Sequence, residues 1–114
     1  MTLDLYSQRV LLTGAAGGIG RELAGALAEK GARLGLVGRT DASMASLDHL
    51  VTGQRMDAVI IQADLTDASA RRAALLRMNQ AYGGVDVLIN LAGVLDFRFF
   101  DEADAGAISR MLQV

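Results

Sequence analysis

Four glycines, Gly14, Gly17, Gly18 and Gly20, fall within seven residues of this 114-residue chain. An apolar run, Val10-Leu11-Leu12, leads into them, and Arg21-Glu22-Leu23-Ala24 opens a helical pattern behind them. Glycines at a strand-to-helix junction let the backbone turn sharply and leave main-chain N–H groups bare. Those groups and the positive end of the helix dipole suit a bulky anion, and phosphate is the guest that this chemistry selects. Other reactive groups are scarce. Lys30 is the only lysine, His49 the only histidine, and Tyr6 and Tyr82 the only phenols. With no cysteine and no second imidazole, neither a thiolate nor a histidine-pair metal site is expected.

A scaffold has to hold that loop. The length allows one domain, with a real but modest core. Hydrophobic residues make up 52% while aromatics are 4% and proline and tryptophan are absent, so the core must be aliphatic, which suits a sheet covered on both faces. A net charge of −2 offers no basic field for nucleic acid or an anionic membrane. No apolar stretch is long enough to span a bilayer, and the N-terminus lacks the basic start and apolar run of a signal peptide. The absence of cysteine fits a cytoplasmic location.

Strands are expected at Arg9–Thr13, Arg33–Val37, Ala58–Gln62 and Val85–Asn90, each short and nearly continuously apolar. Between and after them lie helical patterns. Gly20–Lys30 carries the Ile19-Leu23-Leu27 stripe and stops at Gly31, a left-handed C-cap residue. Asp41–Val51 starts at a Thr40 or Asp41 cap, buries Met44, Leu47 and Leu50, and exits at Gly53. Asp67–Tyr82 buries Leu75, Met78 and Tyr82, leaving Arg71, Arg72 and Arg77 on a solvated face. Asp101–Leu112 turns Ala103, Ala107, Ile108 and Met111 inward. The alternation predicts βαβ units with right-handed crossovers, an α/β fold around a parallel sheet.

The loop spacing, Gly14-x-x-x-Gly18-x-Gly20, departs from the G-x-G-x-x-G dinucleotide fingerprint. With Thr13 before it and Ile19 inside it, it resembles the T-G-x-x-x-G-[IL]-G signature of the short-chain dehydrogenase/reductase family. Asp64-Leu65-Thr66-Asp67 resembles that family's D-[VL]-T-D segment. Asp86-Val87-Leu88-Ile89-Asn90-Leu91-Ala92-Gly93, entered through Gly83-Gly84-Val85, resembles its D-x-L-[VI]-N-N-A-G strand. The resemblance covers the whole chain. It implies a Rossmann-type doubly wound sheet in the order 3-2-1-4, with NAD or NADP bound across the C-terminal strand ends. By that likeness Gly14, Gly18, Ile19 and Gly20 hold the pyrophosphate, Ala16 belongs to the cofactor-binding set, and Asp64 and Leu65 contact the adenine. Asn90, Ala92 and Gly93 lie along the nicotinamide-side ribose. Read from the residues alone, Asn90 serves equally well to cross-link strands, and Asp64 to cap a turn. Leu91 stands where the family commonly has a second Asn, so the amide bonds of that position are missing.

Cofactor choice falls on the end of the second strand. Gly38-Arg39-Thr40 has no acid for the ribose hydroxyls, whereas the Arg39 guanidinium suits the 2′-phosphate of NADP. The other reading of Arg39 is a solvated residue stacking over adenine. Gly17 occupies a loop position where NADP-preferring relatives often carry a basic residue. NADP is therefore the expected cofactor, with NAD the alternative.

The family transfers hydride between NAD(P)(H) and a carbonyl or alcohol carbon, using Ser and Tyr-x-x-x-Lys. Here Val10 and Asp86 lie four residues beyond the two tyrosines, so that pair cannot be assembled. The family's catalytic Asn would fall one residue past Val114. Residues 1–114 are thus expected to form a single partial dinucleotide-binding domain, a truncated member with no catalytic residue, inactive alone, its small-molecule substrate engaged only by a full-length form. Alternatives are a non-catalytic NAD(P)-binding or self-associating module, or a half-enzyme completed in trans. An exposed fourth strand is expected to drive self-association. Phe97, Phe99 and Phe100 pack a loop or wall the substrate side.

Overall fold

A computed structural model describes residues 4–91 and, as backbone, 96–99. Among the described residues four parallel strands, β1 (Arg9–Thr13), β2 (Arg33–Gly38), β3 (Ala58–Gln62) and β4 (Val87–Asn90), alternate with three helices, α1 (Gly18–Glu29), α2 (Asp41–Gln54) and α3 (Ala68–Tyr82). The parallel strands lie in the order β3-β2-β1-β4, the doubly wound arrangement that the strand–helix alternation requires. Register follows from burial on two faces. Val10 and Leu12 of β1, with Leu34 and Leu36 of β2, pack with Ala24 and Leu27 of α1 and with Leu47 and Leu50 of α2. Leu11, Val37, Ile61 and Leu88 point the other way, onto Ala74 and Met78 of α3. Because side chains alternate across a strand, two covered faces require nearly unbroken apolar runs.

A fifth strand, β5 (Asp96–Phe99), runs antiparallel on β4, pairing Val87 with Phe99 and Asn90 with Asp96. The expected open edge on β4 is therefore corrected, and association through that edge loses its basis. The physical reason is that an apolar strand's backbone groups need partners, and an antiparallel return reaches them through a short connection. The phenylalanine cluster thus falls partly on a strand; the side chains of Phe97, Phe99 and Phe100 lie outside the described residues, as does the expected helix Asp101–Leu112.

Helix boundaries follow local chemistry. Thr40 caps α2 by accepting from the Ser43 N–H, and Asp67 caps α3 by accepting from Ser69. Gly31 is left-handed, as expected after α1. The exit of α2 is corrected: the helix runs through Gly53 to Gln54 and turns at Arg55, φ 51°. Two burial expectations are also corrected. Ile19 is 76% exposed, because the first turn of α1 overhangs the sheet end rather than lying on it. Arg71 is buried, sharing the inward stripe of Ala74 and Met78; Arg72 and Arg77 are exposed.

At the opposite end of the sheet, Arg9 and Asp86 tie β1 to the lead-in of β4. Arg9 Nη2 donates to Asp86 Oδ1 at 2.7 Å, and both Nε and the backbone N–H donate to Oδ2 at 2.9 Å. These bonds hold the Asp86 carboxyl below the usual carboxylate range, against partial burial. Since the folded value is depressed, the stabilisation is present above the ordinary carboxylate pKa of about 3.9. It is lost as pH falls through the lower folded value. Asp86→Asn is expected to cost about 1–3 kcal/mol at neutral pH. Urea midpoints should show that penalty shrinking between pH 6 and pH 3; a penalty independent of pH would remove the charge from the account.

Candidate functional site

The loops that leave the C-terminal ends of β1, β2 and β3, with the end of β4, border a cleft of about 400 Å³. Backbone bonds beyond the strands hold these loops level. Ala15 N–H donates to Val37 C=O, Ala63 N–H to Gly38 C=O, and Leu91 N–H to Thr13 C=O. Six of the residues expected to contact the dinucleotide line the cleft, Gly14, Ala16, Arg39, Asp64, Leu65 and Asn90, together with Gly17 and Gly38.

Gly14 begins the turn in the left-handed region at φ 65°, and its carbonyl accepts from Gly17. A Cβ on Gly20 would lie 2.3 Å from the Gly14 carbonyl oxygen and 2.8 Å from Ala15 Cα. Only glycine lets α1 start this close to the turn. Gly18 differs, because a Cβ there would meet nothing within 4 Å, and one on Gly17 would find its nearest atom at 3.6 Å. The chain's own packing therefore does not demand glycine at either position. Nor does a side chain cap α1, whose N-cap is Gly17. The helix opens with bare N–H groups facing outward, which is the electrostatic preparation for an anion. Gly18 and Ile19 are exposed there, and Gly20 is buried beneath them.

Across the cleft, Asp64 forms a turn in which Oδ1 accepts from the Thr66 hydroxyl at 2.7 Å and the Thr66 N–H at 3.0 Å. Thr66's side-chain bond, then its backbone bond, and to a lesser degree the Arg39 charge hold Asp64 below the usual carboxylate range. At neutral pH it is an acceptor only. Its Oδ2 lies 3.7 Å from Arg39 Nη2. Asp64 thus shapes the turn, as one of its two readings expected, and it borders the cleft.

Asn90 cross-links strands, its side-chain oxygen accepting from the buried Thr13 hydroxyl, and it lines the cleft. Leu91, in place of an amide, packs half-buried against the core. Ala92 and Gly93 lie outside the described residues. Sequence reasoning missed Ser43 and Thr66, which also border the cleft. The signal for Ser43 was its place three residues after the Thr40 cap; for Thr66 it was the Asp-x-Thr spacing of a side-chain turn.

Neither tyrosine reaches this cleft. Tyr82 donates its hydroxyl to the Leu34 carbonyl at the far end of β2, and burial, with Asp57 beside it, pushes the phenol up to about 12. A phenol there is poorly suited to proton transfer near neutral pH. Tyr6 lies against Gly31, also at the far end. Among the described residues no helix is long and apolar enough to cross a membrane.

Residues 8–114 match the family model described as short chain dehydrogenase. Among curated proteins, L-xylulose reductase of Homo sapiens is 39% identical over 114 residues, covering all of this chain and 43% of that protein. Among solved structures, an actinorhodin polyketide ketoreductase variant with NADPH superposes with a TM-score of 0.70 at 31% identity, covering 77% of this chain and 34% of that one. The N-domain of a bacterial malonyl-CoA reductase with NADP gives 0.72 at 28%, covering 82% and 18%. The chain spans less than half the length of curated relatives that it matches, 28% in one and 48% in another.

Proposed function

Since this chain belongs to the short chain dehydrogenase family, we propose that its cleft binds a nicotinamide adenine dinucleotide, with NADP preferred. The observation that carries this reading is the start of α1. There the helix has no side-chain cap, and glycine stands at a position where the fold leaves room for a side chain. That vacancy fits close approach of a diphosphate to bare N–H groups. Gly14, Ala16, Gly18, Ile19 and Gly20 form this end. At the other end the Asp64 carboxylate accepts and the Leu65 N–H donates, the complement of adenine's amino group and ring nitrogen. Arg39, 74% exposed at the end of β2, meets the 2′-phosphate. Asn90, Ala92 and Gly93 border the nicotinamide ribose. The two solved neighbours named above hold NADPH and NADP, in keeping with this choice.

When bound, the nicotinamide donates or accepts a hydride. In the whole protein that hydride passes to or from a carbonyl or alcohol carbon, which makes it an oxidoreductase. Residues 1–114 form its dinucleotide-binding portion and lack turnover alone, since Tyr82 is held away from the cleft with a raised pKa. Calorimetric titration of the 114-residue chain should show NADP binding more tightly than NAD, without NADPH oxidation by carbonyl compounds. Binding of neither dinucleotide would reverse the reading, and tighter binding of NAD would remove Arg39 from the 2′-phosphate.

A further inference from the structure

Among the described residues Arg71 is the one charged side chain that is buried, 5% exposed. Its burial is not a simple gain in stability. Nε is enclosed without any hydrogen-bond partner, and an orphaned donor on a desolvated cation is costly. An apolar side chain on the Ala74–Met78 stripe would avoid that cost.

What the guanidinium does hold is the turn at the adenine end of the cleft. Arg71 Nη1 donates to the Leu65 carbonyl at 2.8 Å. That carbonyl belongs to the same peptide unit as the Thr66 N–H, which donates to Asp64 Oδ1 at 3.0 Å. A cation on the oxygen of a peptide polarises the whole unit and makes its N–H a stronger donor. Charge on Arg71 therefore tightens the grip on Asp64 Oδ1 through one peptide bond. With Oδ1 fixed by this link and by the Thr66 hydroxyl, the direction of Oδ2 is fixed as well.

We infer that Arg71 is a positioning residue for adenine recognition: through the Leu65–Thr66 peptide it orients the Asp64 carboxylate toward the amino group of the base. The inference rests on the dinucleotide reading, and it adds a role for a side chain that never touches the ligand. It predicts discrimination rather than affinity alone. NADP and its deamino counterpart, in which hypoxanthine replaces adenine, differ at the group that Asp64 reads.

Calorimetry on the wild-type chain should show NADP binding about tenfold more tightly than deamino-NADP. In Arg71→Met, which keeps an apolar stem, that ratio should fall to about twofold, with deamino-NADP affinity changed less than about twofold. A folded Arg71→Met chain that keeps the full ratio, or that loses both affinities equally, overturns the inference. A carbon-13 titration of the Asp64 carboxyl gives a second readout, also available in Arg71→Gln, which removes the charge but keeps a polar side chain, should the methionine variant fail to fold. Loss of the guanidinium should move the Asp64 pKa up toward the ordinary carboxylate range, and an unchanged value overturns the inference. If the wild type binds neither dinucleotide, the adenine role falls with the parent reading. The carboxyl titration then decides whether Arg71 positions Asp64.

Discussion

Gly20→Ala is expected to destabilise the chain by about 3 kcal/mol and to abolish measurable dinucleotide binding. The added methyl would sit 2.3 Å from the Gly14 carbonyl oxygen and under 3 Å from the Ala15 backbone, so no side-chain rotation relieves it. Either α1 must lift off the turn or the turn must open, and both separate the helix start from β1. Against a total stability of about 5–15 kcal/mol such a loss is readily seen in a urea melt. Gly18→Ala, two residues away, should behave differently. Its methyl enters open space, so stability should stay within about 0.5 kcal/mol of wild type. The dinucleotide, however, should lose about tenfold or more in affinity, because the methyl occupies the approach to the bare N–H groups. Loss of both properties in one variant and of binding alone in the other would separate the scaffold from the site. Unchanged affinity in Gly18→Ala would mean that the diphosphate does not lie against the opening of α1.

The same residues explain what could be read in advance. A turn that must pass close under a helix leaves its mark as glycine, and Gly14 and Gly20 carry that mark locally. Strands covered on both faces leave another, the unbroken run Val10-Leu11-Leu12, whose members face opposite layers. That reading is blind to a strand of another kind. β5 alternates Asp96-Phe97-Arg98-Phe99 and pairs with β4, and no continuous apolar run announces it. At Arg71 residue type and spacing disagree, and spacing wins: Arg71, Ala74 and Met78 are three and four residues apart and share one helix face. At Ile19 the outcome is the opposite: spacing favours burial, yet the side chain is exposed where the helix starts past the sheet end. At the site, Asp64 and Asn90 were legible as residues that could serve either structure or contact. That each serves the structure while bordering the cleft depends on partners from other segments, Arg71 for the turn and Thr13 across the sheet.

Arg39→Ala should lower NADP affinity by about 10- to 50-fold while changing NAD affinity less than about twofold. The side chain has little structural work to lose. It is 74% exposed, and its contact with Asp64, 3.7 Å between charged atoms at the surface, contributes almost nothing to folding. Melting curves of the variant should therefore overlay those of wild type. Against a 2′-phosphate the same guanidinium forms charge-assisted, two-pronged hydrogen bonds that NAD cannot offer. Removing it also takes the Arg39 charge away from the Asp64 carboxylate, so a 2′-phosphate, the group that NAD lacks, meets an uncompensated negative charge there. Both effects act on NADP and spare NAD. Screening adds an independent signature: wild-type NADP affinity should weaken with salt, and that dependence should flatten in Arg39→Ala. Equal losses for the two cofactors would instead place Arg39 over the adenine ring, where it stacks without sensing the 2′ position.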